Sequence, residues 1–174
     1  MSSGKSRCIR LSLLVLVAAL CCLSCSKGPT IKLPEDYSCV YSMDNKISGF
    51  LPDKNKNKFI VYISKGMLSE IMPQLGKSSI DSLMAPNTDW QTIVYYKGPL
   101  SDTTVVTNFM RKSNCGAPVV FNDNDQFMVA NGTDKGITFV SYFLDKKNRW
   151  VGGWLVGGAP FEKQFNATKR KMER

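Results

Sequence analysis

The chain is 174 residues long, 43% hydrophobic and 21% charged, a composition that fits one folded domain with its own core and excludes a disordered or collagen-like chain. Its Lys and Arg outnumber its Asp and Glu by 23 to 14, and it contains no histidine. The missing imidazole excludes Ser-His and Cys-His nucleophile activation and removes the commonest zinc ligand, so neither a metal site nor a cofactor is expected.

Lys5, Arg7 and Arg10 form a basic head, and Leu11 to Leu20 form a nearly all-apolar run. That run is too short to span a bilayer comfortably and has the layout of a secretory signal. Its end reads Ala-Leu-Cys-Cys-Leu-Ser-Cys-Ser and resembles the lipobox of bacterial lipoproteins, in which a small residue precedes a cysteine that takes a diacylglyceryl group. Ser24 makes Cys25 the expected attachment site; Cys22, with Ala19 upstream, is the alternative. Acyl chains contribute about 0.8 kcal/mol per buried methylene, which would hold the protein on a membrane. Loss of residues 1–24 removes three basic side chains and lowers the formal charge from +9 to +6. The remaining basic runs, Lys54, Lys56 and Lys58 and then Lys169, Arg170, Lys171 and Arg174, lack interleaved aromatics. They read as solvated faces with weak attraction for anionic lipid or glycan, and nucleic acid is not an expected partner.

Ser26 to Pro34 reads as a short tether, Tyr37 to Tyr41 as a first strand, and Asp44 to Lys58 as a polar loop. Phe59 to Ile63 is apolar without interruption, as in a strand covered on both faces. Ser64 then caps a helix whose Met67, Leu68, Ile71, Met72 and Leu75 form one apolar stripe, kinked at Pro73. Ile80, Leu83 and Met84 extend it beyond Gly76. Trp90 to Tyr96 is a second strand, followed by a helix capped by Ser101 or Asp102, facing inward through Val105, Val106, Phe109 and Met110, and stopped at Asn114 and Gly116. Two strand-helix units of this length imply right-handed crossovers and parallel pairing.

Val119 to Phe121 is a third strand. Asn122-Asp123-Asn124-Asp125 lacks the glycine and the twelfth-position acid of a calcium loop and reads as a polar turn, before a short helical stretch from Gln126 to Ala130. Thr138 to Leu144 and Trp150 to Val156 form an antiparallel hairpin, with Gly152 and Gly153 marking a bulge or a close backbone approach. Phe161 to Glu173 is a final helix with Phe161, Phe165 and Met172 inward. Among the aromatics, Trp90, Trp150 and Trp154 are the only material for a glycan surface, and their place on strands favours the core.

Once the signal and the lipid site are set aside, Cys39 and Cys115 remain. They either pair, closing a long loop worth on the order of 4 kcal/mol, or stay as two independent, partly buried thiols.

The segments Phe59 to Ser64 with Pro73, Ala117 to Gly132 and Thr138 to Trp150 resemble the thioredoxin-like superfamily, in the branch that holds peroxiredoxins and membrane-anchored thiol-disulfide oxidoreductases of bacterial envelopes. The resemblance implies an α/β three-layer sandwich, a mixed sheet of about five strands flanked by helices. It divides the chain into a signal peptide at 1–24, a lipidated Cys, tether and N-terminal extension at 25–58, and the thioredoxin-like domain at 59–174. In that family the helix proline lies five residues after the second cysteine of Cys-X-X-Cys, which puts the motif on Lys65, Gly66, Met67 and Leu68. The family's cis-proline position falls on Lys135, Gly136 and Ile137. Neither element is present, so the resemblance, taken with these departures, implies a lipid-anchored domain of the cell envelope that is not an enzyme. Binding of an unidentified protein or glycan, or a structural role, would be its function. The alternative is a one-cysteine thiol oxidoreductase or peroxidase using Cys115.

Overall fold

The computed structural model of the chain describes residues 28–35, 39–43, 45–76, 80–122, 124–133, 136–156 and 158–173. The signal segment, both lipidation candidates Cys22 and Cys25, and Lys135 lie outside them. Strand β3, Asn57–Ser64, lies in the interior of the sheet. Its run of β-branched and aromatic side chains leaves nothing polar to face water, and Phe59 to Ile63 are wholly buried on both faces. On one side β3 pairs in parallel with β4, Trp90–Lys97, over eight positions from Asn57 opposite Trp90 to Ser64 opposite Lys97. On the other it pairs antiparallel with β6, Phe139–Leu144.

The sheet continues outward from both partners. β5, Val119–Phe121, lies parallel to β4, and β1, Cys39–Ser42, lies antiparallel to β5. β2, Asn45–Ile47, closes that edge, while β7, Trp150–Gly152, closes the other beside β6. The order is therefore β2-β1-β5-β4-β3-β6-β7, seven strands rather than about five. Of the two strands beyond five, β1 falls on the expected first strand, Tyr37 to Tyr41, and β2 lies in the stretch expected to be a polar loop. An edge strand needs no second buried face and is kept polar to discourage pairing with other chains, which is why Asn45 and Lys46 gave no strand signal.

Helices cover the two faces unequally. α1 (Leu68–Leu75), α2 (Ile80–Met84), α3 (Thr103–Ser113) and α5 (Phe161–Met172) pack with Phe59, Val61, Ile63, Val94 and Tyr96 on one face. The short α4, Gln126–Ala130, covers the other with Ile60, Tyr62, Ile93 and Tyr95. The supposed tether adds to that second layer through Ile31, which is buried there, and Phe50 and Ile137 pack against it as well. Pro73 is accommodated within α1, whose Leu68, Ile71, Met72 and Leu75 form the buried stripe. Ile80 to Met84 form a separate short helix, because α1 ends at Gly76, whose backbone is extended. Lys58, grouped above with a solvated basic run, is buried instead and donates from Nζ to the Lys56 carbonyl at 2.9 Å. Burial pushes its ammonium pKa down, against the charges of Asp53 and Asp145.

β7 is shorter than expected because the chain folds back over β6. The Ser141 hydroxyl donates to the Trp154 carbonyl at 2.6 Å and accepts from the Trp154 N–H at 2.8 Å. This places Gly153 so close to β6 that a Cβ there would stand 2.6 Å from the Ser141 carbonyl oxygen. Gly153→Ala should therefore cost about 1–3 kcal/mol, read as a lowered urea midpoint with an unchanged m-value. An unaltered midpoint would refute the close approach.

Candidate functional site

The positions that the resemblance assigns to a dithiol lie at the carboxyl end of β3. Ser64 ends the strand, its N–H donating to the Thr138 carbonyl at 2.9 Å, and Lys65–Met67 form one 3-10 turn that leads into α1. Lys65 and Gly66 are exposed, Met67 is half-buried, and Leu68 is buried in the core. None of the four carries a thiol. The hydroxyl of Ser64 makes no cap bond to the turn, contrary to the sequence expectation.

What occupies this end of the sheet is a carboxylate held by two donors. Lys65 Nζ lies 2.7 Å from Asp102 Oδ1, and the Tyr96 hydroxyl donates to Asp102 Oδ2 at 2.6 Å. Asp102 was expected to cap α3. It does stand at the start of that helix, but its side chain turns away from the backbone donors to meet Tyr96 and Lys65. The Lys65 hydrogen bond, followed by that from Tyr96, holds the Asp102 carboxyl below the usual carboxylate range. Burial, reinforced by the same carboxylate, pushes the Tyr96 phenol far up, so it is a fixed donor.

A second arrangement of the same three residue types lies across the sheet. The Tyr62 hydroxyl donates to Asp125 Oδ1 at 2.5 Å, and Lys97 Nζ lies 2.9 Å from Asp125 Oδ2. Asp125 reaches this position from a left-handed backbone conformation, φ 56°, at the start of α4. Asn122 Oδ1 accepts from the Gln126 N–H at 2.9 Å, which ties the turn to α4. The polar tract after β5 is thus a turn, as expected, with Asp125 committed to Tyr62 and Lys97. Sequence reasoning missed both networks; the available signal was a tyrosine hydroxyl in each of two otherwise apolar strands, since a buried phenol seeks an acceptor.

No disulfide joins Cys39 and Cys115 in this structure. The register gives the reason: Cys39 stands opposite Phe121, at the far end of β5 from Cys115. Cys115 follows α3 and the left-handed Asn114, φ 52°, and is 0% exposed. Gly116, Ala117 and Pro118, which follow it, help line an apolar hollow of about 580 Å³ with Met84, Gln91 and Thr92. The tryptophans separate as well. Trp90 and Trp154 are core residues, while Trp150 stands at the sheet edge with 44% of its surface exposed.

No family model matches the sequence, and no curated protein matches it. Solved structures do share its fold. A candidate thiol:disulfide interchange protein DsbE from Chlorobium tepidum aligns with TM-score 0.55 and 14% identity, over 82% of this chain and 97% of that one. A candidate electron transfer protein from Aquifex aeolicus aligns with TM-score 0.53 and 16% identity, over 83% and 97%. A thioredoxin-like protein from Porphyromonas gingivalis aligns with TM-score 0.52 and 13% identity, over 84% and 93%. The fold is a thioredoxin-like three-layer sandwich. These names overturn the expectation that the domain is not an enzyme: two of the structures that share its fold are named for thiol-disulfide interchange and for electron transfer.

Proposed function

We propose that the chain is a thiol oxidoreductase of the cell envelope, anchored by lipid at Cys25, that reacts through the single thiol of Cys115. The observation that carries the choice of thiol is the contrast between the two cysteines. Cys39 lies in β1, which is bonded to β2 on one side and β5 on the other. Cys115 lies in no strand or helix, on a turn that contains Asn114 and Gly116. Such a turn opens locally at lower cost than a strand inside a sheet. The redox names of structures with this fold support the chemistry, and the signal and lipobox residues support the location.

Because Cys115 is fully enclosed, its reaction passes through a state in which the 114–117 turn has moved outward. Its thiolate then attacks one sulfur of a substrate disulfide, that S–S bond breaks, and the released thiolate takes up a proton. A second small thiol attacks the mixed disulfide, regenerating Cys115 and leaving the new disulfide with the substrate fragment. The dipole of α3 opposes a thiolate at its carboxyl end, and the charges of Arg111 and Lys112 in the last turn offset it in part. The reaction is therefore slow compared with that of an exposed low-pKa thiol. Reduction of insulin disulfides by the purified protein in the presence of a small thiol, abolished by Cys115→Ala and retained by Cys39→Ala, is the expected result. No turnover by the parent protein would overturn the assignment. The anchor is tested separately, since Cys25→Ser should move the protein out of the membrane fraction.

A further inference from the structure

The N-terminal segment is fastened to the hairpin of β6 and β7 and, through Lys32, to Asn131. Trp150 N–H donates to the Pro29 carbonyl at 2.9 Å, Thr30 bridges to Arg149, and Ile31 N–H donates to the Asn148 carbonyl at 2.8 Å. A Cβ on Gly28 would stand 2.0 Å from the Trp150 carbonyl oxygen, so the chain leaves the domain in contact with β7. Only Ser26 and Lys27 lie between Cys25 and Gly28, and the three extended Cα–Cα steps span about 10 Å. The lipid-bearing residue therefore cannot lie farther than this from the hairpin edge.

That edge has the chemistry of a membrane interface. Trp150 and Leu155, 44% and 71% exposed, flank a hollow of about 770 Å³ that also receives Ile31, Val140 and Tyr142. Beside it a second hollow of about 780 Å³ is bordered by Lys146, Lys147 and Lys171. Arg149 neutralises Asp145 on this face, and Asp89 and Glu173 border the next cleft round. An exposed tryptophan and leucine beside lysines match the boundary between acyl chains and anionic headgroups.

We propose that this hairpin face, carrying Trp150, Leu155, Lys146 and Lys147, lies against the anionic phospholipid surface that holds the anchor. The proposal rests on lipid attachment at Cys25. It is tested with the full-length lipidated protein reconstituted into vesicles of phosphatidylethanolamine and phosphatidylglycerol that carry bromine on their acyl chains. Trp90 and Trp154 are buried, so Trp150 is the reporter. Its emission is expected to be quenched, the quenching to vanish in Trp150→Phe, and to fall severalfold in Lys146→Glu/Lys147→Glu. Protein that floats with the vesicles while Trp150 remains unquenched would overturn the orientation alone. Protein that does not float would remove the anchor, and this proposal with it. Equal quenching in phosphatidylcholine vesicles would overturn the assignment to anionic headgroups.

Discussion

Phe143→Ala is expected to lower the stability of the domain by about 3–5 kcal/mol. Phe143 is fully buried in β6, where its ring lies 4.9 Å from that of Phe59, 5.8 Å from Phe161, and 6.0 Å from Phe165 and from Trp90. It thus connects β6, β3, β4 and α5 at a single point. Alanine would leave a cavity among rigid rings, which relax poorly around a void because an aromatic ring cannot fill it by a small rotation. Domains of ordinary stability have about 5–15 kcal/mol in total, so the variant should be close to unfolding at 37 °C. Val129→Ala is the control: Val129 is 60% exposed on α4, and a substitution there should stay within about 0.5 kcal/mol. Urea titration of both measures the difference, and a loss under about 1 kcal/mol in Phe143→Ala would contradict the packing.

This cluster also shows what the sequence could reveal. β3, β4, the buried stripe of α1 and the inward residue Phe165 of α5 follow from local periodicity, because each buries a face that recurs at the spacing of its own element. The close approach at Gly153 was legible for a similar reason, as two adjacent glycines within a strand pattern. β1 overlaps the expected first strand, Tyr37 to Tyr41, whereas β2 was not expected. Val40 is buried on β1, but β2 is an edge strand whose side chains carry no alternation to read. The buried tyrosine hydroxyls signalled that acceptors were needed, but not which ones, since the networks join distant residues: Lys65 and Asp102 are 37 positions apart, and Tyr62 and Asp125 are 63 apart. From the sequence, Asp102 had a sufficient local explanation as a helix cap, and the same reasoning made Asp125 part of a turn. Lys58 misled in the opposite direction, because its two lysine neighbours suggested a solvated run while its place in β3 required burial.

The Asp102 network makes the other large prediction, and its sign follows from the direction of the shift. Lys65 and then Tyr96 hold the folded-state pKa of Asp102 below its ordinary value. The carboxylate therefore contributes stability above the unfolded pKa of about 3.9, and that contribution is lost as pH falls through the folded value. Asp102→Asn keeps the shape and removes the charge. It should be less stable than the parent at neutral pH, and the two urea midpoints should converge as the solution is acidified below about pH 4. A gap that stays constant from neutral to acid pH would exclude the charge as its source. The two donors should also contribute unequally. Tyr96 is fully buried, so Tyr96→Phe should cost about 1 kcal/mol from the lost hydrogen bond and should be insensitive to salt. The Lys65 side chain is 62% exposed, so Lys65→Met should have a smaller effect that diminishes with added salt. If the tyrosine outweighs the lysine, the buried phenol fixes the carboxylate and the lysine remains free to exchange it for an incoming anion. The reverse order would mean that the ion pair itself holds the 3-10 turn against the start of α3.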